Sequence, residues 1–160
     1  ARSSTKAFDI QIKEYKSEGT ITINGIKVKY FEVDHKPVKY AYGFNFLHKN
    51  KKLTISGDTR PSENVMKYGQ LAEVLLHEVF IDGELKKTNK MRTSTTLHNV
   101  KAYHTPSSLV GKIAKLTRCK KLVLTHFVPT KFNERKLKKV VRTDFGKDPI
   151  IGRDLIKIKI

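Results

Sequence analysis

Five times along this chain a short apolar run stops at a His, Asp or Glu. The five are Val33-Asp34-His35, Ile55-Ser56-Gly57-Asp58, Leu76-His77-Glu78, Tyr103-His104-Thr105 and Leu124-Thr125-His126. Short β-branched and apolar runs read as buried strands. Strands that end along one side of a sheet converge on one crevice, so their polar tips would share it. The sharpest case is Leu53 to Pro61, where the strand halts at Gly57-Asp58-Thr59 and Pro61 prevents its continuation. Asp58 then reads two ways: a presented ligand or base, or a turn Asp bonded to its own backbone. A single His beside an apolar run is commonly a structural, hydrogen-bonded one. Four of the six His occupy such ends, however, and that recurrence favours a site. Imidazoles with a carboxylate and no thiolate suit Zn, Mn or Fe rather than a structural zinc cage.

Around these ends the chain reads as strands first, then strands alternating with helices. Residues 8–16 alternate, and Ile21 and Ile23 lead through Asn24-Gly25 into Ile26 to Val33. Asn-Gly between alternating runs predicts a hairpin, because both residues tolerate positive φ. Tyr40 to Leu47 and Leu53 to Ile55 complete an antiparallel set. A short helix is expected over 62–68, closed by Gly69, and a buried strand over 72–80. The polar stretch 82–96 reads as a loop. Thr105 is the expected cap of a helix whose inward stripe is Leu109, Val110, Ile113, Ala114 and Leu116. A strand over 121–126, a helix opening at Asn133 with Leu137, Val140 and Val141 inward, and an alternating strand over 154–160 finish the chain. The sum is an α+β fold, one mixed sheet covered by helices on one face.

Composition narrows the class. The 160 residues make one domain, and no apolar run approaches the length needed to span a membrane. Cys119 stands alone, which excludes internal disulfides and points to a reducing, cytoplasmic setting. Thirty-three Lys and Arg against 15 Asp and Glu give a formal charge of +18. Such a field attracts polyanions, RNA among them. The bases are also scattered and mostly Lys, which fits compositional bias equally well.

At its polar strand ends the chain resembles the metallo-β-lactamase fold hydrolases, in their ribonuclease Z and arylsulfatase-like branch. The segments that carry the resemblance are Val33-Asp34-His35-Lys36-Pro37-Val38 leading to Tyr42-Gly43-Phe44, then Ser56-Gly57-Asp58-Thr59-Arg60-Pro61, then Leu76-His77-Glu78. Tyr103-His104-Thr105-Pro106, Leu122 to Phe127 and Ile151 to Leu155 follow in order. The resemblance implies that His35 is a ligand of one metal, that Asp58 bridges two, and that His126 is a ligand of the second. It makes His104 the proton donor to the leaving group and Glu78 its acidic partner, with two zinc ions in a complete site. The family's His-x-His-x-Asp-His motif is absent, so residues 1–160 resemble one domain, the C-terminal half of a four-layer αββα sandwich. The interval between His35 and Asp58, where ribonuclease Z carries its tRNA-clamping arm, holds only a strand, a turn and a strand.

The implied function is metal-dependent hydrolysis of a phosphodiester or related ester by a metal-activated water. A lone half would expose one apolar sheet face, which soluble proteins seldom tolerate. The expected complement is a missing N-terminal half, or a second chain in a homo-oligomer. The alternative is a basic nucleic-acid-binding or structural subunit on a non-catalytic scaffold, which would rely on Lys contacts alone.

Overall fold

The computed structural model describes residues 12–84 and 100–160. Seven strands form one sheet in strict sequence order: β1 (Gly19–Ile23), β2 (Ile26–Glu32), β3 (Tyr42–His48), β4 (Lys51–Ile55), β5 (Val74–Phe80), β6 (Lys121–Val128) and β7 (Ile150–Ile151). β1 to β4 pair antiparallel and β4 to β7 parallel. Asn24 and Gly25 take positive φ at the β1–β2 turn, as the dipeptide predicts. Three helices lie wholly within the described residues: α1 (Glu63–Tyr68), α2 (Ser107–Thr117) and α3 (Glu134–Phe145).

The sheet has two unlike faces. On one, Phe31, Leu75, Leu122, Leu124 and Ile151 join Val65, Val110, Ile113, Ala114, Leu137 and Val141 in a single buried core. α2 and α3 touch closely at Gly111, where a Cβ would lie 2.3 Å from the Val141 carbonyl. The register places Val28, Phe46, Leu53 and Val74 in one cross-strand row on the opposite face. Tyr30, Phe44, Ile55, Leu76 and Val123 form the next row. Neighbours along a strand alternate faces, which is why two apolar rows face away from the helices.

Several expectations need correction. The alternating tail does not form a strand; pairing stops at Ile151. Its isoleucines instead meet the apolar face. Ile156 and Ile158 line a hollow with Leu76 and Val123, and Ile160 lines another with Phe46 and Leu53. Alternation reports one apolar side, and here that side rests on a sheet rather than continuing one. Thr105 does not cap α2; Pro106 is the N-cap residue, and Asp82 accepts from the Ser108 amide instead. Leu109 and Leu116 flank the stripe and stay exposed, while Val110, Ile113, Ala114 and Thr117 turn inward at helical spacing. Of the run at 8–16, residues 8–11 lie outside the described residues and 12–16 form no strand; most of the loop at 82–96 also lies outside.

Candidate active site

Topology brings the polar tips together. β4, β5 and β6 are parallel, and β2 runs the same way because two antiparallel pairings separate it from β4. Their carboxyl ends therefore share one edge. Asp58 follows β4 through Gly57, whose φ of +63 turns the chain and whose missing Cβ would sit 2.3 Å from the Tyr42 carbonyl. His126 reaches the site by a different device. Glu78 pairs with Thr125 and Val79 with Phe127, so His126 is the extra residue of a β-bulge, with φ of +43. Bulges re-aim side chains in this way next to functional sites. His77 and Glu78 lie inside β5 rather than at its end, and Tyr103-His104 follow no strand.

The rings form a row. His35 and His104 have centroids 5.2 Å apart, and His104 and His126 5.4 Å. His126 Nε2 lies 3.3 Å from Asp58 Oδ2, both side chains being nearly half exposed. His35 Nδ1–H donates to the Tyr103 carbonyl at 2.9 Å, which leaves Nε2 with its lone pair. That tautomer is the one a metal-ligating histidine adopts when its other nitrogen is anchored. His104 Nδ1–H donates to Glu78 Oε2 at 3.2 Å, and Thr105 N–H donates to Glu78 Oε1 at 2.6 Å. Glu78 is 1% exposed, so both carboxylate oxygens are partnered out of water. A buried carboxylate held by two donors fixes the imidazole it faces.

Other contacts hold this arrangement without being apparent in the sequence. Ser56 Oγ accepts from the Glu78 amide and donates to the Gly57 carbonyl, tying the Asp58 turn to β5. Thr105 Oγ1 donates to the Thr59 carbonyl. Arg60 pairs with Asp34 through its side chain, and its amide donates to the Asp34 carbonyl, so the His35 and Asp58 loops are joined. Ser56, Thr59 and Arg60 stand beside Asp58 in the Ser-Gly-Asp-Thr-Arg-Pro stretch; that adjacency was the available signal.

The donor set is right for a catalytic divalent metal, with imidazole and carboxylate oxygen and a preset His35 tautomer. It is incomplete, since among the described residues no three His, Cys, Asp or Glu side chains gather closely enough to hold an ion.

His77 belongs to the other face. It pairs across from Leu124, is fully buried, and donates from Nδ1 to the Glu78 carbonyl, while Nε2 has no partner. Burial pushes its pKa below the usual 6.5. The unfolded chain therefore takes up the proton first, and stability present above about pH 6.5 falls as pH drops below it. Unfolding free energies from denaturant titrations between pH 7 and 5 should decline by up to about 1.4 kcal/mol per pH unit from this group. In His77→Leu that part of the slope should vanish; an unchanged slope would assign the decline elsewhere.

With this geometry in view, known proteins give a consistent comparison. No protein-family profile matches the chain. Ribonuclease Z of Mycobacterium tuberculosis strain H37Rv is 22% identical over 153 residues, covering 94% of this chain and 55% of the relative. The metallo-beta-lactamase fold protein YhfI from Bacillus subtilis superposes with a TM-score of 0.67 at 20% identity over 84% of this chain and 50% of that one. The fold is that of the metallo-β-lactamases. The short form of human tRNase Z matches at 25% identity and a TM-score of 0.51, over 70% of this chain and 40% of that one. The chain is thus ribonuclease Z-like in sequence, and it spans about half the length of the relatives it matches.

Proposed function

We propose that residues 1–160 are the C-terminal half of a metal-dependent phosphodiester hydrolase of the metallo-β-lactamase fold. In this reading His35 would hold one zinc ion, His126 a second, and Asp58 would serve both. The observation that carries it is the row His35, His104, His126, Asp58 along one sheet edge, with the buried Glu78 behind His104. Zinc bound there would supply an activated water and polarise the ester oxygen. The chain's own groups do the rest. Tyr103 and Asp58 orient the outer imidazoles, and Glu78 holds His104 so that Nε2 is the ring's free nitrogen. When doubly protonated, His104 would pass its Nε2–H proton to the departing alkoxide and return to the neutral Nδ1–H tautomer that Glu78 holds.

Likeness to ribonuclease Z supports a phosphate ester as substrate, with RNA in range. The β3–β4 hairpin fills the interval where a tRNA-clamping arm would stand, so the substrate is one that needs no such arm. The remaining metal ligands would come from a second apolar-faced layer docked on the Val28 and Tyr30 rows. The open face supports this, because apolar sheet surface is costly to leave in water.

The test is metal retention. Purified alone, this chain should lose zinc on dialysis, since three donors of this set do not close a tetrahedral site. Fused behind a segment carrying the His-x-His-x-Asp-His motif, it should keep two zinc ions and hydrolyse bis(p-nitrophenyl) phosphate. Stoichiometric zinc on the chain alone, or a metal-loaded fusion without turnover, would overturn the proposal.

A further inference from the structure

Among the described residues His77 is the only histidine with no exposure at all. It stands on β5 between Leu76 and Glu78, and its ring shares the helix-covered face with Leu75 and Val79, while the Glu78 side chain points to the other face. Its Nε2 has no partner, and a buried nitrogen left unpaired costs free energy that a Leu or Val here would avoid. What the imidazole brings instead is the Nδ1–H, which donates to the Glu78 carbonyl at 2.7 Å. That carbonyl sits where the sheet runs out of partners. β4 stops pairing at Ile55, opposite Leu76, and the next main chain along that edge is Thr105–Pro106, bridged to β5 at Phe80. On the other edge the β6 register slips between Glu78 and Val79. Glu78 thus falls in a gap, and side chains fill it: Ser56 Oγ accepts from its amide at 3.1 Å, and His77 donates to its carbonyl. Buried main-chain groups need such partners where the ladder does not supply them.

From this we infer that His77 is a positioning residue for the His104–Glu78 pair. Its Nδ1–H stands in for the missing strand neighbour and fixes the Glu78 peptide, and with it the carboxylate that holds His104. The inference rests on the hydrolase reading above, in which His104 gives up the proton, and adds the group that keeps His104 in place. The links are short. Glu78 Oε2 accepts from His104 Nδ1 at 3.2 Å and Oε1 from the Thr105 amide at 2.6 Å, while the Thr105 carbonyl accepts from the Phe80 amide at 2.8 Å. Thr105 is thereby tied to β5 on both sides of the stretch where pairing fails. Rotation of the Glu78 peptide would swing the carboxylate and carry His104 away from the leaving group. Only the δ nitrogen can prevent this, since Nε2 lies on the far side of the ring and meets no acceptor. Asn and Gln separate the two positions. The amide nitrogen of Asn stands where Nδ1 does and that of Gln where Nε2 does; both are neutral, and neither restores the bulk of the ring.

The first measurement is nitrogen NMR of the histidine rings in the metal-free full chain. In wild type and in His77→Asn the His104 ring should carry its proton on Nδ1, slow to exchange because Glu78 holds it. In His77→Gln and His77→Leu that proton should exchange about tenfold faster or more, and the Thr105 amide with it, while amide dispersion shows both variants folded. The second measurement is turnover in the completed enzyme. His77→Gln should lower kcat on an alkyl phosphodiester by roughly 10- to 100-fold, as loss of an outer hydrogen-bond partner does, with KM and zinc content unchanged. Bis(p-nitrophenyl) phosphate should lose far less, and His77→Asn should recover most of the rate. A merely structural His77 would give Asn and Gln the same exchange rates, or equal losses on the two substrates, and either result would overturn the inference. The two readings fail separately. A zinc-loaded wild type without turnover would sink the hydrolase, and ring exchange in the chain alone would still decide the role of His77. Turnover in the wild type, with the His104 proton as protected in His77→Leu as before, would sink the inference alone.

Discussion

His104→Ala in the completed enzyme lowers turnover of an alkyl phosphodiester by roughly 10²- to 10⁴-fold, the usual worth of a general acid. Zinc content stays intact, because His104 is held by Glu78 and Thr105's amide shares that carboxylate, so the ring's role is set apart from the Asp58–His126 pair. Bis(p-nitrophenyl) phosphate should show a much smaller loss, since its leaving group departs without a proton. Asp58→Ala behaves differently: metal and turnover disappear together on both substrates. Glu78→Gln belongs with His104, because the neutral amide keeps one acceptor but no longer holds both donors as a carboxylate does. Equal losses of His104→Ala on good and poor leaving groups would make it a positioning residue. Depleted zinc in that variant would make it a ligand.

Much of this site was legible in the sequence because each piece carried a local signal. Gly57 and Pro61 announced the end of β4, and Asn24-Gly25 announced the hairpin. The parallel direction of β4, β5 and β6 followed from the helices between them. What stayed hidden was long-range. Nothing local says that Ser56 bonds the Glu78 amide or that Arg60 reaches Asp34, since those partners lie 22 and 26 residues apart. The bulge at His126 was equally silent, because Leu124-Thr125-His126-Phe127 reads as plain strand and the extra residue exists only against β5. The tail misled for a related reason. Ile156, Ile158 and Ile160 alternate as strand residues do, yet the surface they meet is the apolar face of a sheet already formed.

That face also explains the economy of the core. Helices bury Leu75, Leu122 and Leu124 fully, whereas Phe44, Phe46, Leu53, Ile55 and Leu76 opposite are only partly buried. Full burial of such a side chain from water is worth on the order of 1.5 to 3 kcal/mol, so each has only part of that still to gain. The Ile tail supplies part of that cover, and a docked second layer would supply the rest. The proposed layer that completes the metal site therefore also completes the hydrophobic burial.

Gly57→Ala should be the most damaging small substitution near the site, for two separable reasons. At φ of +63 any residue with a Cβ is strained, by about 1 to 3 kcal/mol. The added Cβ would also fall 2.3 Å from the Tyr42 carbonyl, a backbone atom anchored by β3 pairing with β2. Something must move, and the movable part is the turn that carries Asp58. Gly25→Ala isolates the first cost, because Gly25 has φ of +77 but nothing within 4 Å of its missing Cβ. Thermal unfolding should thus rank wild type above Gly25→Ala and Gly25→Ala above Gly57→Ala. The step between the two variants measures the Tyr42 contact. In the completed enzyme Gly25→Ala should keep zinc, because its hairpin lies in β1–β2, away from the ligand edge. Gly57→Ala should bind zinc weakly even at temperatures where it remains folded. Equal stability of the two variants, with zinc retained in both, would show that the turn has room to yield and that Gly57 does not set the position of Asp58.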